Sequence, residues 1–149
     1  MRITVECSWE VAGAITLDGG ELAMPPLPDE PGVYQWVFRH DGRERRYVGE
    51  AANLRERFVA YRLAGTDRST NGRMNARARR VLASGGEVAV LTATDARLER
   101  DGRPHPLDLG SKHGRCLVEN AALVEVLAAV GEVVNDKGYG KLREDPVLG

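Results

Sequence analysis

Three of the four tyrosines lie in one short stretch, Pro31 to Arg62 (PGVYQWVFRHDGRERRYVGEAANLRERFVAYR), together with a run of arginines. Phenols can hold or pass a proton, and a guanidinium fork suits an oxyanion such as phosphate. Whether these types amount to chemistry depends on whether Tyr34, Tyr47, Arg57 and Tyr61 meet. Asp41-Gly42 is a strong hairpin signal, because the pair readily supplies the positive φ angles of a tight turn. The flanking runs, Val33 to Arg39 and Arg43 to Gly49, read as strands. A two-residue loop pairs His40 with Arg43, Trp36 with Tyr47 and Tyr34 with Gly49. Side chains alternate along a strand, so Tyr34, Trp36 and Tyr47 fall on one face and Val33, Val37 and Val48 on the other. Gly49 leaves room beside the phenols.

A helix follows directly. Asn53 suits an N-cap and Glu56, three residues on, completes a capping-box pattern. Leu54, Phe58 and Tyr61 recur as a buried stripe. Arg57 lies one turn before Tyr61 and borders the same region, while Arg55 and Arg62 are expected to be more exposed. Singly, each of these residues also fits an ordinary amphipathic hairpin and helix. Their combination is what points to a site.

Gly32-Val33-Tyr34 and Tyr47-Val48-Gly49, followed by Arg57 and Tyr61 on the helix, resemble the GIY-YIG nuclease superfamily. Pro31 to Tyr61 is especially similar to the amino-terminal nuclease domain of the bacterial nucleotide-excision-repair incision subunit. The resemblance resumes in RCLVENAALVEVLAAVGEVVND, where Glu119 stands for the family's metal-ligating glutamate and Asn135 for its closing asparagine. Glu119 is placed near the amino end of a helix, where the dipole favours a carboxylate. Glu125 is the alternative ligand but lies deeper in that helix. Many relatives carry lysine after the second triplet, whereas this chain has Glu50, a reversal of charge.

The resemblance implies an α+β fold, a small, mainly antiparallel three-stranded sheet flanked by helices, with residues 1–30 adding a strand or lid. It implies a core over 31–138, a tail over 139–149 and a single domain. It also implies DNA phosphodiester hydrolysis with one Mg²⁺ or Mn²⁺ ion held by Glu119. Catalytic roles then fall to Tyr34, Tyr47, Arg57, Tyr61, Glu119 and Asn135, with Tyr34 as the base that activates water. Two other readings stay open: a GIY-YIG-fold module that binds DNA without cutting, and a repurposed enzyme acting on a small molecule.

The remaining elements must frame that site. At 149 residues the chain is one domain by length, and its 42% hydrophobic and 29% charged content is that of a soluble globular protein. No apolar run approaches a membrane span, and no signal-peptide layout opens the sequence. Two cysteines are too few for a disulfide framework and the three histidines lack ligand spacing, so a reducing cytoplasm is expected. The net charge of −1 is divided unevenly. Arg39 to Arg80 holds 12 arginines against 5 acids, and the rest of the chain is correspondingly acidic. A basic middle can engage phosphates.

Met1 to Val11 reads as a strand, Ala12 to Glu30 as a loop and Glu87 to Thr94 as the third strand of the sheet. Asn71 to Ser84 reads as a helix with Arg73, Arg77 and Arg80 along one side. Arg55, Arg73, Asn75, Arg77 and Arg80 are the candidate nucleic-acid contacts. Asp95 to Gly114 reads as a charged loop or ribbon. Arg115 to Ala129 reads as a helix that buries Leu117, Ala121, Val124 and Ala128. No separate DNA-reading module is recognisable, so specificity is expected from the chain's own loops, from DNA structure, or from a protein partner or homodimer.

Overall fold

A computed structural model describes residues 1–65, 69–130 and 147. Strands β1 (Ile3–Cys7), β2 (Glu10–Asp18), β3 (Glu21–Ala23), β4 (Gly32–His40), β5 (Arg43–Ala51), β6 (Glu87–Ala93), β7 (Ala96–Arg100) and β8 (Arg103–His105) accompany helices α1 (Leu54–Leu63), α2 (Thr70–Ala83) and α3 (Lys112–Val130). The main sheet has five strands in the order β3-β2-β6-β4-β5, all antiparallel, and a smaller sheet runs β1-β7-β8.

The hairpin register agrees with the sequence reading. His40 pairs with Arg43, Trp36 with Tyr47 and Tyr34 with Gly49. Asp41 and Gly42 both adopt left-handed backbone, with φ of 49° and 71°, as a two-residue turn that matches strand twist requires. One sheet face carries Tyr34, Trp36 and Phe38 with Val88, Val90 and Ile15, and packs against Leu54, Phe58 and Tyr61 of α1 and Met74, Ala78 and Val81 of α2. The other carries Val33 and Val48 under Val118, Ala122, Leu123 and Val126 of α3. The two core clusters therefore sit on opposite faces of β4 and β5.

Three expectations need correction. Residues 12–30 are not simply a loop: β2 runs on to Asp18 and β3 follows, so the extension widens the sheet from three strands to five. Met1 to Val11 is not one strand, because β1 and β2 belong to different sheets. Finally, α3 begins at Lys112, where Ser111 Oγ accepts from Gly114 N at 3.0 Å. Its buried apolar side chains are Val118, Ala122, Leu123 and Val126, whereas Leu117 and Val124 are 38% and 62% exposed. Apolar residues surround much of this helix, so periodicity could not select the packed face.

α1 starts as expected. Asn53 Oδ1 accepts from Glu56 N at 3.0 Å, and Asn53 Nδ2 donates to Asp29 at 2.6 Å. Gly32 is fixed by close approach: a Cβ there would lie 2.7 Å from the Ala93 carbonyl oxygen and 2.9 Å from Leu54 Cδ1. The first triplet's glycine is therefore what lets β4, β6 and the start of α1 converge.

Candidate active site

Four of the expected residues meet. The Tyr34 and Tyr61 hydroxyls are 2.7 Å apart and buried. Arg57 Nε donates to Tyr34 at 3.3 Å and Arg57 Nη2 to Tyr61 at 3.4 Å, with the guanidinium carbon 4.7 Å from the Tyr61 ring centroid. Tyr47 is coupled to Tyr61 as well, so Tyr61 interacts with both of the other phenols. Tyr34 packs edge-on against Phe58 at 5.1 Å, with Tyr47 at 6.4 Å. The hairpin supplies two phenols, and α1 supplies the third and the arginine.

Burial differs among the phenols. Tyr34 and Tyr61 are 1% and 0% exposed, while Tyr47 is half-buried. Burial and then Tyr47 push the Tyr34 phenol up to about 12, against the lowering effect of Arg57. Burial also raises Tyr47, helped by Tyr61 and by the carboxylate of Glu119. Tyr61 is raised by burial and Tyr34. Burial opposes the charge on Arg57, but Tyr34 and Tyr61 hold it, with a net upward shift.

These shifts predict an alkaline instability. A folded-state pKa above the unfolded value means that the unfolded chain loses its proton first, so stability is complete below about pH 10 and falls as pH rises towards 12. Urea unfolding at pH 8 and pH 11 should show this loss, and Tyr34→Phe should reduce it. Equal stability of the unaltered protein at both pH values would contradict the hydroxyl network.

Glu119 sits eight residues into α3, too far from the helix start for the dipole to favour its charge appreciably. What distinguishes it from Glu125 is its neighbourhood. Glu119 acts on Tyr47, whereas Glu125, secondary to burial, acts on Cys7 of β1. Among the described residues no group of three or more metal-binding side chains forms. A single carboxylate ligand is nevertheless a donor set that Mg²⁺ accepts, since that ion keeps several waters and takes further oxygens from a phosphate. Asn135 lies outside the described residues.

A pairing not foreseen from sequence joins α3 to this region. Arg115 Nε meets Glu50 Oε2 at 2.6 Å, with side-chain exposures of 7% and 17%. Arg115 Nη1 also donates to the carbonyls of Leu109 at 3.1 Å and Gly110 at 3.0 Å. Glu50 alternates away from Tyr47 and Gly49 onto the α3 face of the sheet, and its charge is met there. Arg115 lies one turn before Glu119, so the pair fastens the helix carrying the carboxylate to the strand carrying Tyr47.

One of the candidate nucleic-acid residues is not at the surface. Asn75 is fully buried and donates to the Tyr61 carbonyl at 2.9 Å, so it holds α2 against α1 and cannot contact a ligand. Arg79 Nε donates to its Oδ1 at 2.7 Å. Arg80 Nε donates to the Val147 carbonyl at 2.8 Å. Arg73 is exposed and Arg77 half-buried. Arg55 is exposed, donates to the Leu27 carbonyl at 3.3 Å and lies 3.6 Å from Asp29.

Neither a protein-family model nor a curated protein matches the sequence. The structure superposes on that of a point mutant of bacteriophage T4 EndoII with a TM-score of 0.54 and 16% sequence identity. The match covers 85% of this chain and 91% of the phage chain. The fold is GIY-YIG-like. Within this fold, the first triplet opens β4 and the second lies on β5, with Arg57 and Tyr61 on α1 and Glu119 on α3. Among the described residues no helix is long and apolar enough to cross a membrane.

Proposed function

We propose that this protein is a metal-dependent endonuclease that hydrolyses phosphodiester bonds in DNA. The observation that carries this reading is the cluster of three tyrosine hydroxyls and Arg57, bounded by the carboxylate Glu119. The fold shared with EndoII, a GIY-YIG-type nuclease, supports it. The narrower likeness to the repair incision subunit rests on the sequence motifs.

In this reading Arg57 is held by Tyr34 and Tyr61 and offers its remaining N–H donors to the scissile phosphate. Glu119 would hold one Mg²⁺ or Mn²⁺ ion, which when bound supplies positive charge against the phosphorane and the leaving oxygen. The sequence favours Tyr34 as base, but its near-complete burial suits it to anchoring the hydroxyl chain. Tyr47 is the partly exposed phenol and the one that Glu119 acts on. We therefore assign the proton-accepting role to Tyr47, with Tyr61 and Tyr34 orienting its hydroxyl. A raised phenol needs nearby positive charge to work as a base, and Arg57 already acts in that direction. Asn135 keeps the family-implied role of fixing backbone beside the site.

The test is incubation with supercoiled plasmid. Nicking or linearisation is expected with Mg²⁺ or Mn²⁺ and not with EDTA, and Tyr47→Phe should lose more activity than Tyr34→Phe. An intact plasmid under every metal condition would contradict the proposal.

A further inference from the structure

The smaller sheet separates its charges by face. Ile3, Arg100 and Arg103 form one row across its three strands, and Val5, Leu98 and His105 form the next. Alternation puts both rows on one face with Cys7 and Ala96. The sheet's acids, Glu6 and Glu99, fall on the opposite face with Arg97. Nearer the body, the first face packs Val5, Cys7 and Ala96 against the α3 cluster. Towards its tip the same face carries Arg100, Arg103 and His105, all exposed.

The turn between β7 and β8 is rigidly built. Asp101 and Gly102 adopt φ of 52° and 78°. Asp101 Oδ1 accepts from Arg2 N at 2.8 Å, and Asp101 N donates to the Arg2 carbonyl at 2.8 Å, so the nearest acid is already engaged. Arg100 and Arg103 are directly opposed across the ribbon. Neither has an ion pair among the described residues. Like charges in that position repel, and an anion between or beside them relieves the repulsion.

We propose that the tip of the β7–β8 ribbon is a phosphate-gripping arm, with Arg100 and Arg103 holding the nucleic-acid backbone outside the cleavage site. This rests on the nuclease reading and extends it, since the arm springs from the sheet that packs against α3, the helix that carries Glu119. It also replaces part of the α2 surface expected from sequence, where Asn75 is buried and Arg80 is engaged.

The test measures binding of the full chain to a short labelled DNA duplex in EDTA across a salt series, with thermal melting and light scattering on the same samples. Arg100→Gln/Arg103→Gln should bind at least about tenfold more weakly, with a salt slope shallower by about 2 if each arginine meets one phosphate. Its melting temperature should be unchanged or higher, because a repulsive pair has been removed. Arg97→Gln, on the opposite face, should leave the slope unchanged. If the unaltered protein binds with steep salt dependence and the double variant does the same, the arm is wrong and the nuclease reading stands. An equal loss in Arg97→Gln would also overturn the arm, as would a change in oligomeric mass with an unchanged salt slope, which would assign the arginines to a second copy of the chain. No salt-dependent binding by the unaltered protein would overturn both.

Discussion

Arg57→Ala is expected to lower DNA cleavage by about 10²- to 10³-fold, the usual cost of removing a preorganised charge from a transition state. The fold should lose far less. The guanidinium contributes two long hydrogen bonds, at 3.3 and 3.4 Å, and one contact over the Tyr61 ring. Interactions of those kinds are each worth about 1 kcal/mol. Because Tyr34 and Tyr61 still bond each other at 2.7 Å, their hydroxyls are not stranded by the change. Arg57→Lys restores charge without the fork and should recover only part of the rate. Plasmid cleavage at saturating metal, measured beside urea unfolding, separates these effects. A variant that cuts normally would remove Arg57 from the chemistry, and one that fails to fold would make it a structural residue.

Gly49→Ala should have a comparably large effect for a steric reason. A Cβ at Gly49 would lie 2.5 Å from both Cζ and Oη of Tyr34 and 2.9 Å from Cε2. Tyr34 has little freedom to yield, being 1% exposed and packed against Phe58 and Tyr61. Either the ring turns and its bond to Tyr61 breaks, or β4 and β5 move apart. Overpacking of this kind costs about 1–3 kcal/mol. The hydroxyl geometry is lost with it, so activity should fall about 10²-fold, as for other displacements near 1 Å in an active site. The expected readout is a lowered urea midpoint together with lost cleavage. Normal stability and normal cutting would show that Tyr34 need not occupy its observed position.

The hairpin and its site were legible because their signals are local. Asp41-Gly42 set the register, alternation then placed Tyr34 and Tyr47 on one face, and helical spacing placed Arg57 beside Tyr61. What escaped was non-local. β2 and β3 form through pairing with β6 and with each other, which residues 12–30 do not announce. The packed face of α3 was misread because Leu117 and Val124 are as apolar as Val118 and Val126, so only the tertiary partner decides. Asn75 looked like a ligand-binding amide, but its role depends on the Tyr61 carbonyl. Glu50 looked like an unfavourable charge until Arg115 met it from α3. Asp101-Gly102 carries the same turn dipeptide as the main hairpin and was the available sign of the β7–β8 ribbon.

The central claim is that Glu119 and the tyrosine–arginine cluster make one metal-dependent site. Its most direct test is single-turnover cleavage of a DNA duplex in Mn²⁺ by the unaltered protein and by Glu119→Ala. Glu119 is only partly buried on α3, and alanine is a good helix former, so the fold should tolerate the change. The account predicts at least about 10²-fold slower cleavage by the variant, with duplex binding in EDTA retained. Cleavage by Glu119→Ala at the unaltered rate, with the same dependence on metal, would contradict it.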